Sequence, residues 1–167
     1  MREFLISISV IAIWGVAGCT APADSDSVTF DVVVYGCTSA GVATAIQATR
    51  LDKSAVLVCP ETHLGGLTAG GLGWTDSGRK EAVGGFAREF YQRLKAHYDT
   101  PGAWVYERPD EYSHYEAEGD AMWVFELHVA EQTFESMVEE AGLPLFRDRR
   151  LDREDGVEMD GNRIQSI

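Results

Sequence analysis

The sequence predicts an α/β fold, a parallel sheet with flanking helices that ends in a β-hairpin. Three observations lead there. Val28 to Tyr35 (VTFDVVVY) is a short apolar run rich in β-branched residues, as a buried strand of a parallel sheet requires. A glycine-containing turn, Gly36-Cys37-Thr38-Ser39-Ala40-Gly41, follows it directly. A helical pattern from about Ala40 to Leu51 then places Val42, Ala45, Ile46 and Ala48 to face a sheet, and Ser54 to Cys59 (SAVLVC) reads as a second buried strand. Strand, helix and strand in this order make a βαβ unit.

Later elements follow from periodicity and punctuation. Val83, Phe86, Phe90, Leu94 and Tyr98 recur at helical spacing and predict a helix over 83–99. Thr100 to Asp120 carries Pro101, Gly102, Pro109 and many acids, and is expected to be a long insertion. A solvated surface segment is the reading favoured for it. The rival is a substrate-facing role through Trp104, Tyr106, Tyr112, His114 and Tyr115. A further helix is predicted over 126–141, with Ala130, Phe134, Met137, Val138 and Ala141 on one face; Gly142 and Pro144 end it. Leu143 to Phe146 is a short strand, and 157–167 a hairpin turning at Asp160-Gly161-Asn162. Two convincing buried parallel strands leave a doubly wound sheet unfinished, so the domain is expected to be incomplete.

The first residues read as an address. Phe4 to Val16 is almost wholly apolar yet short for a membrane span, which needs roughly 20 residues. It runs into Val16-Ala17-Gly18-Cys19, which resembles a bacterial lipobox, where small residues admit a signal peptidase and the cysteine takes a diacylglycerol. A lipoprotein signal over 1–18, a tether over 19–27 (small, polar and proline-containing) and a domain over 28–167 result. The expectation is export and lipid anchoring at Cys19 to a bacterial membrane. A plain signal peptide with a chance cysteine is the alternative.

The formal net charge of −13 over 167 residues argues against nucleic acid, because phosphate contacts need clustered Lys and Arg. Three cysteines without a CxxC pair suggest neither a zinc knuckle nor a redox dithiol, and no metal cluster stands out.

The turn after the first strand matches G-x-G-x-x-G at Gly36 and Gly41, with Thr38 in the middle place. Its first glycine permits the tight turn, and its last lets helix pack on strand. The helix N-terminus then offers N–H groups and partial positive charge to a phosphate. A strand-to-helix turn that binds nothing is the bland alternative. Context favours a Rossmann-like nucleotide site. After the second strand, glycines at 65, 66, 70, 71 and 73 crowd the stretch Glu61 to Asp76, which is expected to be a loop close to a ligand rather than a helix. NAD-only domains usually pass from that strand straight into a helix.

VVVYGCTSAGVATAIQATR followed by HLGGLTAGGLGWTD resembles a family of bacterial FAD-dependent oxidoreductases with the glutathione-reductase type of FAD domain. Trp123 to Glu131 (WVFELHVAE) is similar to that family's segment before a long helix, where proline is more usual than Leu127. The resemblance covers about residues 30 to 167. It implies a Rossmann-like FAD domain in which Gly36, Cys37, Thr38, Ser39, Ala40 and Gly41 meet the cofactor. Cys59, Pro60, Glu61, His63, Leu64, Gly65, Gly66, Leu67 and Thr68 join them from beyond the second strand. It further implies hydride transfer between flavin and a small organic substrate, in members that run much longer than 167 residues. This chain alone is therefore expected to hold FAD weakly and to oxidise no substrate. An enzyme using NAD(P) at the same turn and a non-catalytic nucleotide-binding module at the cell surface are the rival readings.

The sequence departs from the pattern where such domains end the second strand with Glu or Asp, which accepts from the adenosine ribose. Cys59 stands there, and Glu61 is the alternative acceptor. Restoring the acid with Cys59→Glu is expected to tighten FAD by about 1.5–3 kcal/mol at best. Cys37 and Cys59 lie near the ends of neighbouring strands. Free thiols are favoured, because a bridge crowds the adenosine pocket and needs Cα atoms within roughly 7 Å. His63, His128 and Asp76 are the titratable residues nearest the expected cofactor contacts. His63 and Asp76 are the weak candidates for catalysis, with His63 beside the glycine stretch and so able to touch flavin.

Overall fold

The computed structural model describes residues 28–167. The signal, the lipobox with Cys19 and the tether lie outside the described residues. Strands β1 (Val32–Tyr35), β2 (Ala55–Val58) and β3 (Leu145–Phe146) form a parallel sheet in the order β1-β2-β3. Val32 pairs with Ala55 and Tyr35 with Val58, while Leu57 and Val58 pair with Leu145 and Phe146. Helix α1 (Ser39–Arg50) joins β1 to β2. The route from β2 to β3 carries the single turn α2 (Leu67–Gly70) and the helices α3 (Gly85–Tyr98) and α4 (Leu127–Glu140). Strands β4 (Glu158–Asp160) and β5 (Arg163–Ser166) form the expected hairpin, with Gly161 at φ +59° in its turn.

The core is what the apolar spacing dictates. Val42, Ala45 and Ile46 of α1 meet Ala55 and Leu57 of β2, and Val129, Phe134, Met137 and Val138 of α4 close over them with Phe90 and Leu94 of α3. Phe90 and Phe134 stack with ring centroids 4.3 Å apart. At the ends of the helices, Arg50 reaches Glu89 through two bonds of 2.7 and 2.8 Å, and Arg93 reaches Glu89 and Glu140. The Arg93 guanidinium, helped by the Ser136 hydroxyl, holds the Glu140 carboxyl down at about 2.

Three expectations change. The first strand is shorter than 28–35 and is not buried on both faces: Val32 and Val34 meet the core, whereas Val33 and Tyr35 are 45% and 43% exposed. Alternation places those two on the face opposite α1, where the Tyr35 hydroxyl accepts the Leu151 N–H at 3.2 Å. The glycine-rich stretch is not wholly loop, because Leu67–Gly70 completes one helical turn. The 100–120 insertion is not merely solvated. Trp104, Tyr112 and Tyr115 pack against the core, and the Trp104 indole N–H donates to the Tyr98 carbonyl at 2.8 Å. Lys95 is buried beneath them. Burial alone pushes its pKa down, but the Asp99 carboxylate it bonds outweighs this and holds it raised.

Candidate functional site

The site is built on the C-terminal ends of β1 and β2. Gly36 leaves β1 at φ +110°, a conformation that L side chains rarely adopt, and its N–H donates to the Val58 carbonyl at 2.8 Å. Thr38 caps α1: its hydroxyl accepts the Gly41 N–H at 3.2 Å and its carbonyl the Val42 N–H at 2.9 Å. The Ser39 and Ala40 N–H groups, at the first two helical positions, lack intrahelical acceptors, and no acid stands in the first turn to compete with an anion. Gly41 packs helix on strand so closely that a Cβ built there lies 2.0 Å from the Gly36 carbonyl oxygen. The sequence assigned both outer glycines those two duties.

The glycine-rich segment comes back against this turn. The Gly65 N–H donates to the Cys37 carbonyl at 2.8 Å, and a parallel bridge pairs Thr38 with Gly65. Gly65 and Gly66 both have positive φ; a Cβ on Gly66 would come within 3.2 Å of Thr38, and one on Gly65 within 2.7 Å of the Phe134 ring. Leu64 is fully buried, whereas Leu67 and Leu72 are 70% and 60% exposed. Thr68 sits in the α2 turn, its N–H on the Gly65 carbonyl at 3.2 Å. The turn before α1 and the start of α2 thus lie side by side, joined through backbone.

The two cysteines are paired. Cys37 and Cys59 form a disulfide with a Cα–Cα distance of 5.1 Å, and both are buried. This corrects the expectation of free thiols. The parallel register, Tyr35 opposite Val58, carries the two chains forward side by side, within bridging distance. Pro60 and Glu61 follow the bridged residue, and Glu61 is exposed.

The titratable candidates divide. His63 has a role in holding the segment: its Nδ1 bonds the Glu131 carboxylate at 2.8 Å, while the ring is otherwise exposed. Glu131 also accepts the Leu64 N–H at 3.3 Å. Asp76 and His128 are exposed, and neither has a side-chain partner among the described residues. The pattern did not reveal Glu131 or Phe134 as supports of the glycine segment. Both stand on α4, some 70 residues away in sequence, and no local signal marks the contact.

Comparison with solved structures returns partial matches, three of which follow. The first, an oxidized steroid monooxygenase bound to NADP, shares 15% identity over 77% of this chain and 22% of its own, with a TM-score of 0.42. A flavin monooxygenase from Stenotrophomonas maltophilia shares 19% identity over 83% and 33%, with a TM-score of 0.44. A 3-ketosteroid-delta4-(5alpha)-dehydrogenase from Rhodococcus jostii RHA1, in complex with 4-androstene-3,17-dione, shares 17% identity over 74% and 38%, with a TM-score of 0.40. The chain thus spans 22–38% of the length of these proteins. No curated protein sequence matches it. The family model described as FAD dependent oxidoreductase matches residues 31–167, nearly the whole of the described chain, and the protein belongs to that family.

Proposed function

We propose that residues 28–167 form the FAD-binding part of an oxidoreductase, with the cofactor pyrophosphate seated over Gly36 to Gly41. The observation that carries this reading is the contact at Gly41. A turn with no room for a side chain sets the free N–H groups of a helix start beside the end of β1, and that combination suits a phosphate. In this reading Ser39 and Ala40 donate N–H bonds to phosphate oxygens. Thr38 holds the helix start in place, and its hydroxyl proton remains available as a further donor. Gly65 and Gly66 flank the phosphate from the other side, and the neighbouring Leu67 and Leu72 present exposed apolar surface to the flavin. Glu61 takes the ribose in place of the missing acid, since Cys59 is committed to its bridge. When bound, the flavin supplies hydride acceptance, and the protein contributes binding, orientation and exclusion of water. The test is titration of the flavin-free chain with FAD, followed by flavin fluorescence. Saturable binding displaced by ADP but not by riboflavin is expected. Absence of binding, or displacement by riboflavin alone, contradicts the placement.

Export and lipid attachment at Cys19 belong to the same proposal, supported by the apolar run that ends in VAGC. A lipoprotein modification supplies the several acyl chains that stable anchoring needs. Wild-type protein is expected in the membrane fraction with the added mass of lipid, and Cys19→Ser in the soluble exported fraction. A wild-type chain of unmodified mass rules the attachment out.

A further inference from the structure

A recess of about 190 Å³ lies away from the glycine turn, where the end of α3, the 103–112 segment and the start of α4 converge. Its walls mix aromatic rings with the aliphatic side chains of Ala103, Val105, Met122 and Val124. Tyr98, Trp104 and Tyr112 line it, with Trp104 centred 5.7 Å from Tyr98 and 5.8 Å from Tyr112, and the almost fully exposed Tyr106 stands at its rim. Its charges are of one sign: Glu107 and Glu126 line it, and no Lys or Arg does. The cations of this region are engaged elsewhere, Lys95 with Asp99, and Arg108 with Asp110 at 2.9 and 3.0 Å.

The two carboxylates are set against the rings. The Tyr98 hydroxyl accepts the Glu126 N–H at 2.8 Å and donates to the Glu126 carboxylate at 3.3 Å, which fixes that residue at the wall. Burial first, and then the charges of Glu107 and Glu126, push the Tyr112 hydroxyl upward. Both acids stand in the lining of the recess itself. Aromatic faces are themselves negative, so walls and carboxylates favour a ligand of the same kind.

We propose that this recess binds an organic cation, an alkylated ammonium on a small apolar body of about choline size. Rings can replace the weak hydration of an alkylammonium, whereas a hard metal ion needs a shell of oxygen ligands. Among the described residues no group of three or more His, Cys, Asp or Glu side chains is placed to hold a metal. The proposal is independent of the flavin reading, because no residue of the recess belongs to the glycine turn.

The test uses the 167-residue chain freed of flavin. Isothermal titration compares choline with its neutral carbon isostere, in which a tert-butyl group replaces the trimethylammonium. Saturable choline binding is expected, with the isostere weaker by about tenfold or more. Glu126→Gln keeps the hydrogen bond with Tyr98 and is expected to weaken choline by about tenfold, as is Tyr112→Leu. Glu107→Gln alters an exposed residue and is expected to weaken it several-fold, which keeps the test valid if Tyr112→Leu misfolds. No choline binding, equal binding of the isostere, or a preference for a neutral sugar would overturn the proposal.

Discussion

Replacing Gly41 by valine, or even alanine, is expected to part α1 from β1 and abolish FAD binding. The Cβ would stand 2.0 Å from the Gly36 carbonyl oxygen and 3.1 Å from its carbon. Both are backbone atoms, so no rotamer change can relieve the clash. The end of β1 has little freedom to retreat, since the Gly36 N–H is bonded to Val58 and the next residue is tied covalently to Cys59. Relief must come from α1 moving outward, which opens the contact between Val42, Ile46 and the sheet. A loss of about 3 kcal/mol or more is expected from this overpacking. Gly70→Ala is the control, because a Cβ there meets nothing within 4 Å. Urea unfolding and FAD titration of both variants check the prediction. Near-wild-type affinity in Gly41→Ala would sink the placement of the pyrophosphate.

Breaking the Cys37–Cys59 bridge is the second large effect. The cysteines are 22 residues apart, and closing a loop of that size stabilises by about 3 kcal/mol in the chain-entropy view. The double variant Cys37→Ala/Cys59→Ala is expected to melt about 10 °C lower and to be insensitive to reductant, whereas the wild type falls toward it when reduced. A wild-type melting temperature unmoved by reductant would show that the bridge contributes nothing. The bridge also reverses the expectation for Cys59→Glu. The position is fully buried, so the substitution sacrifices the disulfide, leaves a lone Cys37 thiol and forces a carboxylate into the core. Weaker FAD binding and a lower melting temperature are expected from it, not tighter binding.

What the sequence could disclose was what local pattern controls. The βαβ unit was legible because β-branched runs and a helical stripe are each written within a dozen residues, and the outer glycines because a tight turn and a close approach admit no other side chain. Helix α1 begins at Ser39 and α4 ends at Glu140, each within a residue of the expectation, because Thr38 and Gly142 are strong end signals. What stayed hidden depended on partners brought together by the fold. The pairing of Cys37 with Cys59 follows from strand register, and the hold of Glu131 on His63 from the way α4 lies beside the glycine segment. Composition made the 100–120 insertion look like surface, yet Trp104 and Tyr115 bury their rings against α3 because aromatic area outweighs the acids around it. The alternation of β1 looked like continuous burial because valines fill both faces.

The bridge has a mechanical consequence as well as an energetic one. It closes a covalent ring running from the turn through α1 and β2 and back, so the turn and the end of β2 cannot swing apart. The facing 63–70 segment has no such closure. It is held by the Gly65 N–H bond to Cys37, the bridge to Thr38, the grip of Glu131 on His63 and Leu64, the burial of Leu64 and the Phe134 ring against Gly65. Of the two sides, the one without a covalent tie is expected to open first. For a nucleotide seated as proposed over Gly36 to Gly41, entry and departure are expected to depend on displacement of the 63–70 segment, and the residence time on how firmly α4 holds that segment down.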